Sequence, residues 1–387
     1  MNILQVAAFL SPAYGGGAID VCYHLSKELA QRGHEVTIYA SDYKLNWEHM
    51  KAVPQVKTRT FRTWGSLARF YVTPAMPKEV GQEVCQFDVI HMHAYRSFQN
   101  TVIHYYAKKL GIPYILQAHG SLETVSGNTK LKWVFDKTMG HKIVKDAAKV
   151  IAETPTEAEQ YKSMGISEDK IEIVPNGVDL SEFENLPQRG QFRKKYGLDD
   201  AQKVVLYLAR IHKIKGPDLL AKAFAELSKD LGDAKLVIAG PDDGYLATLK
   251  ELIRELKIEE RVLITGLLNK NEKLQAYVDA DVYVLPSVYE TFPISVLEAC
   301  ACGIPVIVTD RCGIANIVDG QLGFVVPYDK DELANKILHM LADNKLRREF
   351  GEKGKLLVRE KFNWDKIAQQ VENIYSSCML SNHRAQG

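Results

Sequence analysis

Short apolar runs alternate, along nearly the whole chain, with stretches whose apolar residues recur every three or four positions. Continuous short runs suit strands buried on both faces, and the intervening periodicity suits amphipathic crossover helices. The alternation predicts parallel sheets built from βαβ units, an α/β fold. In the first half the expected strands are Ile3–Leu10, Glu35–Ala40, Asp88–His93, Tyr114–Ala118, Lys149–Glu153 and Ile171–Val174. In the second they are Val204–Leu208, Leu236–Ala239, Val262–Thr265, Val282–Leu285, Pro305–Thr309 and Phe324–Val326. A helix is expected from Ala18 to Gln31, with Ile19, Cys22, Leu25 and Leu29 on one face and Gly33 capping its end. Thr154 to Glu157 reads as a capping box with Pro155 at the first helical position.

A chain of 387 residues exceeds one ordinary core and suits two domains. Pro175, Gly177, Pro187 and Gly190 fall in a weakly periodic stretch, which places the join near Leu186. The expected division is 1–186, 187–362 and a last segment, 363–387, whose helix is surplus to the second domain.

Hydrophobic residues at 46% and charged residues at 25% exclude a disordered chain, a collagen and a disulfide scaffold. Lys plus Arg (49) nearly cancel Asp plus Glu (48), which argues against a polyelectrolyte that binds nucleic acid. The charge is unevenly spread, however. Residues 51–150 hold 15 basic against 6 acidic side chains, a local net of +9. That stretch either meets an anion or an anionic surface, or is a solvated basic face. Six irregularly spaced cysteines, with no CxxC pair, fit a reducing cytosol. The chain opens directly on a strand-like run, and no apolar stretch approaches the ~20 residues that span a bilayer. A cytoplasmic protein, at most peripheral to a membrane, is expected.

Four stretches carry candidate chemistry. Glu290 to Glu298 (ETFPISVLE) follows the strand Val282–Leu285. Its two carboxylates, eight positions apart, can sit one in the loop and one in a helix, both facing one cleft. Free amides after Pro293 would form an anion site at the helix start. Together they suit a nucleotide-sugar; alternatively, they are a loop charge and a solvated helix residue. Arg210 and Lys215, at the tip of Val204–Leu208, can both reach a pyrophosphate and offset the charge of a leaving group, or form an ordinary basic loop. Gly15, Gly16 and Gly17 either admit a phosphate close to the backbone or make a tight turn. Asp20 breaks GxGxxG, so a nicotinamide site fits poorly. His119 ends the strand Tyr114–Ala118, either facing substrate or merely closing the strand. His91 and His93 lie at a neighbouring strand's end, without a carboxylate or cysteine at metal-ligand spacing.

In this order, these motifs resemble the retaining glycosyltransferases of family 4. The resemblance extends through Pro175 to Asp179, Ala239 to Asp243, Gly266, Leu285 to Ser287, Gly320 to Gly323 and Phe362 to Trp364, and so covers nearly the whole chain. It implies the GT-B fold: two Rossmann-like doubly wound parallel-sheet domains facing across a cleft, with the last helix crossing back to the first domain. The first domain would bind the acceptor and the second the donor. The catalytic set implied is His119, Arg210, Lys215 and Glu290. Arg210 and Lys215 would hold the donor diphosphate, Glu298 the ribose and Glu290 the transferred sugar. Gly16 and Gly17 would approach the donor phosphate, and His119 would contact the donor sugar. Pro293 stands where the family often has glycine and offers no N–H, so neighbours such as Phe292, Ile294 and Ser295 would supply the remaining donor contacts. The family needs no bound metal and no cofactor beyond its UDP- or GDP-linked substrate.

The expected activity is transfer of a hexose to a hydroxyl of a glycan, glycolipid or small molecule, in cell-surface polysaccharide or glycoconjugate synthesis. A GT-B epimerase or phosphorylase, or a non-catalytic nucleotide-sugar-binding subunit, would share the motifs. Residues 130–149 interleave Lys130, Lys132, Lys137, Lys142, Lys145 and Lys149 with Leu131, Trp133, Val134, Phe135 and Ile143. Either this is an interfacial segment for an anionic membrane and a lipid-linked acceptor, or a crossover helix packs Trp133, Val134 and Ile143 into the first core.

Overall fold

In the computed structural model, residues 1–387 are described except 12–16, 46–52, 68–69, 124–128, 228–232 and 387, and except the side chains of 381–386. The chain divides into two compact units: Met1–Gly177 with Trp364–Gly387, and Val178–Asn363.

The first unit contains β1 (Asn2–Phe9), β2 (Glu35–Ser41), β3 (Val56–Phe61), a hairpin of β4 (Gly65–Leu67) and β5 (Phe70–Val72), then β6 (Val89–His93), β7 (Tyr114–Gln117), β8 (Lys149–Ala152) and β9 (Ile171–Ile173). Seven of these form one parallel sheet in the order β3-β2-β1-β6-β7-β8-β9. The edge strand β3 is absent from the sequence expectation. Only its end residues, Val56 and Phe61, are buried, and its polar interior hides the strand pattern. Arg59 in that interior is held by Glu83 and, at 2.5 Å, by Glu79 on the helix Met76–Glu83. The helix Gly17–Gln31 buries Ile19, Cys22, Leu25 and Leu29, as its periodicity predicts, and ends where Gly33 takes φ +89°.

The stretch after β7 departs from a plain crossover helix. It runs as an α-helix (Thr129–Phe135), a π-turn (Asp136–Gly140) and a second α-helix (His141–Asp146). Gly140 lies so close to the Tyr95 hydroxyl that any Cβ would collide with it. Ile143 enters the core, whereas Trp133 and Val134, candidates for that core, are 62% and 49% exposed. The core at this point is already filled by Tyr95 and Phe135, whose rings lie 6.0 Å apart.

The second unit contains β10 (Val204–Leu208), β11 (Lys235–Ala239), β12 (Val262–Gly266), β13 (Val282–Leu285), β14 (Val306–Thr309) and β15 (Gly323–Val326). All are parallel, in the order β12-β11-β10-β13-β14-β15. The unit begins at Val178, not near Leu186. Val178 is buried in the second core, its amide donates to Phe362 O at 2.8 Å, and Leu180, Phe183 and Leu186 pack on that same core. Apolar contact, not the glycine-proline content of the join, sets the boundary.

The last helix, Trp364–Gln386, buries Trp364, Ile367, Ala368, Val371, Ile374, Tyr375 and Cys378. That spacing makes a single apolar stripe, which lies against the first unit's own elements. Trp364 stacks on His24, and Glu372 pairs with Arg32 at 3.0 Å and His34 at 2.9 Å. No helix among the described residues is long and apolar enough to cross a membrane.

Candidate active site

In the second sheet the strand order reverses between the paired neighbours β10 and β13. Loops leaving two such strands diverge, which opens a crevice at their carboxyl ends. Two of the motif stretches leave from these tips. After β10 the chain passes Arg210 and a 3₁₀ turn, Lys213–Lys215, that His212 caps by accepting from Ile214 N at 3.1 Å. Gly216 follows with φ +68°, and a Cβ there would strike the Pro286 carbonyl oxygen in the loop after β13. Val288 N donates to Ile214 O at 2.8 Å. The backbones of the two loops are thus stitched together.

That stitching sets Lys215 Nζ against Glu290 Oε2 in an ion pair whose side chains are only 17% and 13% exposed. Glu290 is held in turn by its backbone: Gly313 N donates to Glu290 O at 2.7 Å. Arg210 pairs with Asp243, from the stretch after β11. The helix Ile294–Ala301 starts behind Pro293. Phe292 is buried against Phe362, ring centres 5.8 Å apart, so its backbone alone is left to meet a ligand. Ile294 opens the helix half-buried, and Ser295 Oγ lies 2.7 Å from Tyr283 Oη. Glu298 has both oxygens engaged, by Lys273 Nζ at 2.5 Å and Tyr277 Oη at 3.0 Å. Burial, and next the Glu298 charge, keeps the Tyr277 phenol well above its usual range, so it serves as a neutral partner. The sequence by itself does not single out Lys273 and Tyr277. They lie one turn apart on the helix Lys270–Asp279, and no local signal marks them as partners of a carboxylate 25 and 21 residues away.

A second polar cluster lies at the strand tips of the first unit. His119 and Gly120 follow β7 in left-handed conformations, φ +53° and +71°. The His119 side chain is only 4% exposed, and both ring nitrogens are taken: Nδ1 lies 2.6 Å from Glu153 Oε1 and Nε2 lies 2.9 Å from His93 Nδ1. Glu157 does not complete the expected capping box. Thr154 Oγ1 does accept from Glu157 N at 3.2 Å, but the Glu157 carboxyl turns inward. It accepts from Glu153 N at 2.8 Å and Gly120 N at 2.6 Å, which pins the His119 turn. Burial first, and then the neighbouring Glu153, push the Glu157 carboxyl up to about 8. His91 and His93 are fully buried; desolvation, the larger cause, lowers His91 to about 3 and His93 well below its ordinary value, so both are neutral. Among the described residues no cluster of three or more His, Cys, Asp or Glu side chains has metal-binding geometry. Gly17 opens the helix Gly17–Gln31; Gly15 and Gly16 lie outside the described residues.

Comparison with known proteins covers both halves of the chain. The family described as glycosyl transferases group 1 matches residues 188–357, and Glycosyltransferase Family 4 matches residues 15–182. The chain is 29% identical to an uncharacterized glycosyltransferase of Methanocaldococcus jannaschii over 98% of this chain and 99% of the relative. It is 28% identical to the N-acetyl-alpha-D-glucosaminyl L-malate synthase of Bacillus anthracis, over 96% of each. Among solved structures, Anabaena HepE in complex with UDP and glucose superposes with a TM-score of 0.81 at 21% identity, covering 97% of this chain and all of that one. The two matching regions lie one in each half of the chain, and the protein belongs to the group 1 glycosyltransferases of the GT-B fold.

Proposed function

We propose that this glycosyltransferase moves a hexose from a nucleoside diphosphate sugar to an acceptor hydroxyl, with retention of configuration and without a metal. The observation that carries the reading is the Lys215–Glu290 pair at the β10/β13 switch point, with Arg210, paired to Asp243, on the same loop after β10. Lys215 and Arg210 supply fixed positive charge where a diphosphate leaves, the role a metal ion takes elsewhere. Glu290 accepts hydroxyls of the transferred sugar, and Glu298, held by Lys273 and Tyr277, accepts the ribose diol. Among the described residues neither half offers an obvious enzymic nucleophile, which favours attack on the face the phosphate leaves. The bond from the anomeric carbon to phosphate oxygen breaks, the acceptor oxygen takes its place, and the departing phosphate takes the acceptor proton. His119 is assigned a contact with the donor sugar by family resemblance; its ring makes that contact only by giving up one of two present partners. The bound UDP and glucose of HepE and the malate acceptor of the Bacillus relative support a nucleotide-sugar donor and a hydroxyl acceptor.

The test is a thermal-shift screen of UDP- and GDP-hexoses, since a bound donor raises the melting point with the logarithm of its concentration over Kd. Transfer is then assayed with the stabilising donor. Lys215→Ala and Glu290→Gln should each lose most turnover and stay folded; full turnover in either removes that residue from the site. An isomerised donor, or binding without transfer, would overturn the transferase reading.

A peripheral contact with anionic lipid is part of the proposal. Leu131, Trp133, Val134 and Met139 are 39–62% exposed on the segment that also carries the exposed Lys130, Lys137 and Lys142. Apolar side chains between cations match a negatively charged interface in both terms. Co-sedimentation with anionic vesicles should fade with salt and with Lys130→Glu plus Lys137→Glu. No binding at low salt would leave a soluble acceptor.

A further inference from the structure

A row of buried polar side chains runs from the tips of the first sheet to the returning helix. Glu153 Oε1 meets His119 Nδ1 at 2.6 Å, His119 Nε2 meets His93 Nδ1 at 2.9 Å, and His93 Nε2 meets Gln5 Oε1 at 2.7 Å. Gln5 Nε2 donates to Tyr375 Oη at 3.1 Å, which lies 2.7 Å from His91 Nδ1. Five elements contribute: β1, β6, the turn after β7, the end of β8 and the helix Trp364–Gln386. Gln5 and His91 are fully buried and His93 is 1% exposed, so bulk water does not compete for these bonds.

The chemistry of the row is restrictive. A neutral imidazole has one N–H and one lone pair, and an amide donates only through nitrogen. With the Gln5 nitrogen on Tyr375, the Gln5 oxygen can only accept, so His93 carries its proton on Nε2. Its Nδ1 is then a lone pair, and His119 Nε2 must donate to it. One further proton lies in the bond between His119 Nδ1 and Glu153. Turning the Gln5 amide over would reverse each of these bonds and leave His119 Nε2 as an acceptor. In the orientation read from the network, the Tyr375 hydroxyl accepts from Gln5 Nε2 and its own proton goes to His91 Nδ1, at the far end of the row.

We propose that Tyr375, acting through Gln5 and His93, is a positioning residue that decides which protons the His119 ring carries, with Nε2–H turned inward and Nδ1 bound to Glu153. The other titratable groups packed on this turn are tied elsewhere: Glu157 to the Gly120 and Glu153 amides, Tyr161 to Ala118 N at 3.1 Å. The returning helix thereby acts on the first unit's candidate catalytic histidine through hydrogen bonds as well as packing. Only the kinetic consequence rests on His119 being a site residue.

The test is ¹⁵N-histidine NMR on the full chain, which reads the proton on each ring nitrogen. In the unaltered protein His119 should show a protonated Nε2 and a strongly hydrogen-bonded Nδ1. Tyr375→Phe removes one oxygen and touches neither His93 nor His119, yet the ring-nitrogen signals of both should move. Gln5→Met, which cuts the row and keeps the volume, should do the same, and serves if the Phe variant misfolds. Signals of His93 and His119 unmoved in a folded variant overturn the proposal. In the transfer assay Tyr375→Phe should shift the pH profile of kcat with the donor KM unchanged, which lost packing would not do. Moved signals with an unshifted profile would uphold the row and remove His119 from the catalytic reading.

Discussion

Glu157 makes the stability of the first unit depend on pH in an unusual direction, and Glu157→Gln exposes it. In the folded chain burial and Glu153 hold this carboxyl up to about 8, against an ordinary 4.5. Between those values the folded state keeps a proton that the unfolded state has released. The stabilisation is fully present below 4.5 and is lost as pH rises through 8. One proton sets a slope of at most ~1.4 kcal/mol per pH unit. For a unit of about 200 residues, at ~2–4 °C per kcal/mol, this one group contributes a fall in melting point of ~3–5 °C per unit between pH 6.5 and 7.5, which the buried histidines partly offset and the comparison with the variant isolates. Glutamine cannot titrate. It keeps one acceptor but turns an amide N–H₂ toward the second backbone N–H, at Glu153 or Gly120, which costs ~1–3 kcal/mol. The variant should therefore melt below the parent at pH 6, and the gap should close toward pH 8. Differential scanning calorimetry of both proteins across that range, following the first unit's transition, measures the gap directly, and groups that titrate alike in both cancel. Parallel curves would refute the reasoning.

His91 and His93 have depressed values, so their stabilisation is present above 6.5 and lost as pH falls, toward about 3 for His91; in the Glu157→Gln background, where the opposing carboxyl is gone, the urea midpoint should drop from pH 7 to pH 5, and a constant midpoint would place water beside these rings. Gly216→Ala should cost more than the ~1–3 kcal/mol of a left-handed alanine, because its Cβ also meets the Pro286 carbonyl, and should weaken donor binding through Lys215. Gly266→Ala, at φ +73° with open space around it, isolates the backbone cost alone. Equal melting points for the two variants would count against the close approach.

The alternation of apolar runs and helical periodicity was enough to place most strands, the helix Gly17–Gln31 and the motif residues at strand tips. These are local properties: a strand buried on both faces must be apolar throughout, and a crossover helix must carry one apolar stripe. The edge strand β3 escaped because an edge buries little, and Arg59 in its interior is neutralised by glutamates from a separate helix. Helical spacing alone could not say whether Trp133 and Val134 face the core, since that depends on which residues, here Tyr95 and Phe135, already fill it. Of the candidate site, Arg210, Lys215, Glu290 and Glu298 were legible as residues, but not as the pairs they form. Lys215 meets Glu290 across 75 positions, Gln5 meets Tyr375 across 370, and His119 has its two ring nitrogens engaged by Glu153 and His93. Such pairings depend on strand order and on where the last helix lies. Sequence periodicity records which face of an element is apolar, while only the folded chain decides which polar groups must satisfy one another once water is gone.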